Sequence, residues 1–227
     1  MRNKLIVGVM LIVLMLSATA CGTEQLPDNN ENKINGKDKG EVTNKIEYEY
    51  TEEGLIKPEI AKEVIKETSD QVIKAIKEKD MAVLSDFVHP EKGVRFTPYT
   101  YVSVKDDVVF TKEEIKGFFA DENEYLWGYY DGTGDEIRLT PAEYYAEFIY
   151  SADFIAAEQV GYNEVLSFGN MLENQFEIYE NAIVVEYYFP GFEAKYEGMD
   201  WKSLRLAFQE HEGTWYLVGV IHNKWTI

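Results

Sequence analysis

The strongest hydrophobic pattern in the chain lies at its C-terminal end, between residues 202 and 227. Apolar residues occupy every second position from 204 to 208, which predicts a strand with one apolar face. After a turn at 211–214, nearly every residue from 215 to 222 is apolar, as is typical of a central strand that is covered on both faces. The pattern therefore predicts an antiparallel hairpin that forms the floor of a sheet.

Apolar residues recur at helical spacing near the start of the folded part. The stripe from 58 to 79 predicts a long helix, and the proline at its first position suits the first turn. A shorter helix is predicted after Asp80, which suits an N-cap. This helix should end at His89, because the residue before a proline avoids the helical conformation.

Shorter signals divide the middle of the chain. Thr111 with Glu114, and Thr140 with Glu143, are spaced as capping boxes and predict two more helix starts. One or two strands, interrupted at Pro98, are predicted over 94–104, and single strands over 125–130 and 182–189. The stretch 172–179 fits either a helix or a strand. Helices first and antiparallel strands last predict an α+β fold, in which a strongly bent antiparallel sheet wraps around the N-terminal helices.

The N-terminal segment predicts export. Residues 1–20 have a charged start, a short apolar run and small residues before Cys21, as a secretory signal peptide does. The apolar run from 5 to 16 is shorter than the ~20 residues of a typical transmembrane span. Residues 18–21 resemble the lipobox of bacterial lipoproteins, with Ala18 where leucine is commonest. The resemblance implies that Cys21 carries a lipid and anchors the protein to the extracytoplasmic face of the bacterial cell membrane. An ordinary signal peptide followed by a chance cysteine is the alternative.

Composition limits the partners and the domain boundaries. The chain has 22 basic and 41 acidic residues, a net charge of −19. Such a negative body repels nucleic acid, which we exclude as a partner. Cys21 is the one cysteine in the sequence, so no intramolecular disulfide can form. Residues 21–53 are mostly polar and should form a disordered tether, in which 46–50 has the alternation of a short edge strand. One domain is then expected from 54 to 227.

Two resemblances add to this interpretation. Residues 72–90 and 204–222 resemble the helices and the final hairpin of the cone-shaped nuclear-transport-factor-2-like fold. The segments 198–201, 203–206 and 215–219 are similar to uncharacterised lipoproteins of Gram-positive bacteria. The first resemblance implies a pocket inside the cone, where enzymes of that superfamily place an Asp, His or Tyr for proton transfer.

Three residues, namely His222, His89 and Asp153, are candidates for such proton transfer. His222 would act as a base if a carboxylate such as Asp153 or Glu186 oriented it, and His89 is a second candidate. Each histidine also has a structural explanation. His222 suits a single hydrogen bond at a strand end, and His89 suits the C-terminal end of a helix, where the dipole favours it.

Five residues are candidates for ligand binding, namely Arg205, Glu186, Tyr187, Trp201 and Arg95. If Glu186 and Arg205 face each other across paired strands, they form a cross-strand ion pair. The alternative is a polar cluster inside the cone that holds an anionic ligand through the guanidinium group. Tyr187 and Trp201 belong to a set of aromatic residues that either line a pocket or fill the core.

The chain offers no motif for a cofactor or a metal. It has no Cys/His zinc spacing, no phosphate loop and no Gly-x-Ser-x-Gly elbow, and the acidic turn at 131–136 lacks the glycine that an EF-hand needs at position six. We therefore expect a membrane-anchored, non-enzymatic domain that binds a small molecule or an envelope protein. The alternatives are a small isomerase or dehydratase with a His–carboxylate pair, and a regulatory protein recognised through the aromatic loop 189–201.

Overall fold

The computed structural model describes residues 47–226, so the predicted signal peptide, Cys21 and most of the predicted tether lie outside the described residues. Within residues 47–226 no helix has the length and apolar character needed to cross a membrane. At the end of the predicted tether, Tyr50 pairs with Ile56 and Lys57 N donates to Glu49 O at 2.9 Å. Burial of Ile56 in the core holds this segment against the domain.

The helices begin where the caps predict. The α-helices are α1 Pro58–Glu78, α2 Met81–Phe87, α3 Lys112–Lys116, α4 Pro141–Tyr144 and α5 Gln175–Ile178. Asp80 caps α2 by accepting a hydrogen bond from Val83 N at 3.0 Å, and both capping boxes are present. A π-helical turn follows α4 directly, and the ambiguous stretch before residue 179 contains only the four-residue α5.

Eight strands form two sheets. They are β1 Val94–Thr97, β2 Val108–Phe110, β3 Tyr125–Tyr129, β4 Glu136–Leu139, β5 Gln159–Tyr162, β6 Ile183–Phe189, β7 Lys202–His211 and β8 Thr214–Lys224. Six of them make a sheet in the order β2-β1-β8-β7-β6-β5, and β3 pairs with β4. The predicted hairpin is confirmed, and β8 lies between two neighbours as its continuous apolar run indicates.

The prediction of an antiparallel sheet is wrong at one pairing. β1 runs parallel to β8, with Phe96 opposite Val220, so the large sheet is mixed. The two strands are distant in sequence, so no hairpin turn sets their relative direction; packing of the intervening elements does. β2, β4 and β5 are also absent from the prediction, because each has only three or four residues. The region 94–104, predicted as one or two strands, is a strand only as far as Thr97, before Pro98.

The two faces of the large sheet have different coverings. The inner face carries Leu204, Leu206 and Val220, which share one core with Ile65 and Ile73 of α1. The outer face carries a second apolar cluster of Val184, Ala207, Val218 and Ile221, with Val102 and Tyr179 packed on it. Residues 163–175, which we call the strap, bond to the outer face and to the ends of the strands.

Candidate functional site at the inner end of the hairpin

The interior between the helices and the inner face is filled with side chains. The ring of Phe96 lies 5.6 Å from that of Phe118 and 6.0 Å from that of Trp127, and Trp127 stacks on Tyr144 at 3.8 Å. The enclosed apolar cavity beside these rings has a volume of about 10 Å³. That is roughly the space of one water molecule. The pocket that the cone resemblance implies is therefore closed at this position.

His222 lies at the end of the inner face, and it is fully buried. Its Nδ1 is 3.2 Å from Pro98 O, and its Nε2 is 3.1 Å from Ser151 Oγ. Because a carbonyl oxygen only accepts, Nδ1 carries the proton and Ser151 donates to Nε2. Burial lowers the pKa of His222 to about 3, and the charges of Lys224 and Lys202 act in the same direction. The imidazole is therefore neutral at physiological pH.

Two lysines stand beside this histidine. Lys202 and Lys224 are directly opposite each other on β7 and β8. Lys202 Nζ donates to Ser151 O at 3.0 Å, and burial together with the Lys224 charge lowers the pKa of Lys202. Lys224 Nζ lies 5.4 Å from the centre of the Phe148 ring. None of the ion pairs within 4.0 Å among residues 47–226 involves either ammonium group.

The chemistry of this group of residues favours binding over proton transfer. Ser151, His222 and the Pro98 carbonyl are ordered like a nucleophile, a base and an orienting acceptor. A general base works best with a pKa near the ambient pH. Burial lowers the pKa of His222, the two adjacent ammonium groups add to this effect, and together they oppose the imidazolium that this mechanism needs. The same two charges attract an anion.

The other two catalytic candidates lie elsewhere and have structural partners. His89 Nδ1 accepts hydrogen bonds from the backbone N–H groups of Glu91 and Lys92, at 3.2 and 3.1 Å, and burial lowers the pKa of His89. Asp153 is exposed and pairs with Lys77 at 2.9 Å, which lowers the pKa of Asp153. Within residues 47–226 the hydrogen bonds of His222 and His89 go to groups other than carboxylates, so the predicted His–carboxylate pair is wrong.

The predicted pair of Glu186 and Arg205 is present, but on the outer face. The two residues are opposite each other on β6 and β7, and Arg205 Nε lies 3.2 Å from Glu186 Oε1. Both side chains are fully buried. Leu204 lies on the inner face, and successive side chains of a strand point to opposite faces of the sheet. The side chain of Arg205 therefore points to the outer face, away from α1. The hypothesis of an anion-binding guanidinium inside the cone is therefore wrong.

The strap closes over this ion pair. Arg205 Nη2 donates to Ser167 O at 3.1 Å and to Glu173 Oε1 at 3.0 Å. Leu166 N donates to Glu186 Oε2 at 2.7 Å, and Ser167 Oγ donates to the other carboxylate oxygen. Arg205 Nη1 has no hydrogen-bond partner within residues 47–226. The cluster attaches the strap to the sheet, and a ligand could reach it only if the strap moved.

The remaining candidates are dispersed. Trp201 is almost fully buried beside Tyr188, whose ring lies 6.2 Å away. Arg95 Nη1 donates to Ser103 O and Val104 O at 3.1 and 3.2 Å, which closes a loop at one end of the sheet. Tyr187 lies on the inner face near α1, and its hydroxyl is buried beside Ser69.

The sequence pattern does not indicate Ser151, Lys202 or Lys224 as site residues. Counting outward from the turn at 212–213 places Lys202 opposite Asn223, because His211 pairs with Thr214. A bulge between Ala207 and Phe208 shifts the register by one residue and brings the two lysines together. The sequence does show one lysine near each end of a long hairpin. It does not show that the two lysines are opposite each other, because that pairing depends on the bulge.

No metal site is built from the described residues, since no three His, Cys, Asp or Glu side chains within 47–226 are grouped suitably. No protein-family model matches the chain, and no curated protein matches it significantly. One similar solved structure, from Xanthomonas campestris, is described as a calcium/calmodulin dependent protein kinase II association domain. It is 9% identical, covers 72% of this chain and 85% of its own, and superposes with a TM-score of 0.28. A likeness this low carries no argument about fold family or function.

Proposed function

We propose that this chain is a lipid-anchored lipoprotein on the extracytoplasmic face of a bacterial membrane, and that its folded domain is a non-enzymatic binding module. The charged and apolar pattern before Cys21 supports the anchor. The packing of α1 on the inner face of the large sheet supports a cone-like fold of the nuclear-transport-factor-2 kind.

The pairing of Lys202 with Lys224 carries the binding role. Like charges directly opposite each other on neighbouring strands destabilise a sheet. The arrangement occurs in a chain whose net charge is −19, and acidic residues to neutralise it are abundant. An anionic group that bridges the two ammonium ions would remove the repulsion. We therefore infer that the ligand carries a carboxylate or a phosphate group, either on a small molecule or on an envelope partner.

The test uses inorganic phosphate as the probe and the chain from residue 21 onward, with Cys21→Ser, at constant ionic strength. Phosphate should raise the thermal midpoint of the unchanged chain but not that of Lys224→Met. Lys92→Met is the matched control, because Lys92 contacts Gln209 at the surface and should leave the phosphate response intact. An equal response in all three proteins would overturn the proposal of an anion site.

Two further experiments follow. The first asks whether the anionic group belongs to a lipid headgroup, and the second tests the lipid anchor. Binding to phosphatidylglycerol vesicles but not to phosphatidylcholine vesicles would assign the phosphate to a lipid headgroup. In a bacterial host the full chain should incorporate an alkyne-tagged fatty acid and sediment with membranes, and Cys21→Ser should do neither. Unchanged labelling of Cys21→Ser would refute the anchor and leave the anion site unaffected.

A further inference from the structure

β5 is an edge strand of the large sheet. It ends the strand order, and within residues 47–226 it pairs with β6 alone. Edge strands present unpaired main-chain groups, which proteins usually protect with charges, bulges or a covering element. Val160 on this strand is 40% exposed, and Ile155 just before it is 43% exposed.

The register shows which main-chain groups of β5 are unpaired. Asn163 N donates to Val184 O at 2.8 Å, and this pair continues the register in which Tyr162 is opposite Val185. Residues that direct their N–H and C=O groups toward the partner alternate along an antiparallel strand. Gly161 therefore faces β6, and the main-chain groups of Val160 and Tyr162 point toward the free edge.

A groove of about 560 Å³ runs between this edge and α1. Lys62, Lys66 and Lys74 of α1 line it, spaced four or eight residues apart on one stripe of the helix. Asp70 is the one acidic residue in the lining, and it is paired with Lys66. Lys74 also has an acidic neighbour, Glu78, at 3.9 Å, and both side chains of that pair are exposed. The lining itself therefore carries three basic residues and one acidic residue in a strongly acidic chain.

The floor of the groove is mostly apolar. Ile73, Val160 and the ring of Tyr162 contribute the apolar surface. Tyr187 also belongs to the lining, and it is 4% exposed, with its hydroxyl buried beside Ser69. A segment that lies in the groove would therefore cover apolar surface there.

We propose that the β5 edge and the basic stripe of α1 form a docking site for an extended, acidic segment of a partner protein. The segment adds to the sheet as a seventh strand and pairs with the main-chain groups of Val160 and Tyr162. Its side chains alternate in direction, so every second one faces the groove. Acidic residues at those positions meet Lys62 and Lys74, and charge complementarity selects this partner over a neutral strand. This site is separate from the lysine pair on the hairpin.

The experiment uses two fluorescein-labelled peptides, one with four Glu-Val repeats and one with four Lys-Val repeats. The protein is the chain from residue 21 onward with Cys21→Ser. Fluorescence anisotropy should show binding of the acidic peptide and at least tenfold weaker binding of the basic one. Lys62→Glu with Lys74→Glu should reverse this preference. Lys116→Glu on α3 is the matched control and should not alter it. Equal binding of both peptides would overturn the proposal.

Two variants at one position test the main-chain pairing. Val160→Pro and Val160→Ala both remove the exposed side chain, but only proline removes the N–H that faces the free edge. Proline is tolerated on an edge strand where its position faces solvent. We expect at least a tenfold loss of affinity for Val160→Pro and less than a threefold loss for Val160→Ala. Equal losses would rule out strand addition.

Hydrogen exchange provides a measurement that does not depend on a variant that folds. The acidic peptide should protect the amides of Val160 and Tyr162 in the unsubstituted chain and leave that of Gly161 unchanged. Binding without this protection would overturn the docking mode. Protection without peptide that increases with protein concentration would show that a second copy occupies the edge, and would likewise overturn the proposal.

Discussion

Glu186 and Arg205 lie directly opposite each other on β6 and β7, buried between the outer face of the sheet and the strap. The continued register of β5 directs the main-chain groups of Glu186 toward β5, so Glu186 and Arg205 form a non-hydrogen-bonded pair. The side chains of such pairs lie closer together than those of hydrogen-bonded pairs. This pair attaches the strap, through Ser167 and Leu166, to the centre of the fold.

Removing one partner of the buried pair should be costly. Arg205→Met leaves the Glu186 carboxylate buried without its counter-charge, and we expect the free energy of unfolding to fall by about 3–5 kcal/mol. The double variant Glu186→Leu/Arg205→Met removes both charges and should recover a large part of that loss. Urea unfolding of the two single variants and the double variant measures the coupling.

The control is Arg138→Met, because Arg138 pairs with Glu136 with about half of each side chain exposed. Exposed pairs contribute roughly 0–1 kcal/mol. If Arg138→Met costs as much as Arg205→Met, burial does not explain the effect and the assigned role of the pair fails.

His222 should make the protein sensitive to acid. Its pKa in the folded state, about 3, lies below the ordinary value of about 6.5. The folded state therefore binds fewer protons between these two values, and stability is present above pH 6.5 and lost as the pH falls toward 3. His222→Asn keeps a donor toward Pro98 O but cannot become charged. Chemical unfolding at several pH values should show a shallower acid slope for this variant, and an unchanged slope would contradict the assignment.

Asp107 should have the opposite effect on the pH dependence. Burial raises the pKa of Asp107 to about 6. The folded state then binds the proton more tightly than the unfolded chain, so this contribution to stability is present below the ordinary pKa of about 3.9 and is lost as the pH rises through 6. Between pH 4 and 6 this contribution opposes that of His222.

Asp107→Asn tests this assignment. Thr97 Oγ1 and Ser103 N both donate to the same oxygen of Asp107, at 2.6 and 3.0 Å, and an amide oxygen can accept both bonds. We expect stabilisation of up to about 3 kcal/mol at pH 7.5 and little change at pH 4, from the free-energy equivalent of the pKa shift. Destabilisation at pH 7.5 would show that the negative charge itself is needed there.

Gly219 should not tolerate a side chain. A Cβ at this position would lie 2.5 Å from the Tyr179 hydroxyl oxygen, because the tyrosine ring crosses β8 there. Gly219→Ala should cost about 1–3 kcal/mol by overpacking. Gly117→Ala is a suitable control, since its Cβ would meet only Glu114 O at 3.6 Å. Combining Gly219→Ala with Tyr179→Ala should give a favourable coupling energy, and additive losses would contradict the contact.

The sequence by itself determined the local features of the fold. Alternating and continuous apolar runs located the final hairpin, and the spacing of Thr111 with Glu114 located a helix start to the residue. It also placed Glu186 and Arg205 on strands that pair. These features depend on periodicity and capping over a few residues, so neighbouring residues in the chain are sufficient to specify them.

Only the tertiary structure decided which surfaces these elements present. The bulge at Ala207/Phe208 brings Lys202 opposite Lys224. The strap covers Arg205, a candidate ligand-binding residue, and Arg205 is instead hydrogen-bonded to the strap. The tertiary structure also decided that β1 runs parallel to β8 and that aromatic side chains fill the interior. Each depends on contacts between residues far apart in the chain, and a one-residue change of register exchanges the two faces of a strand.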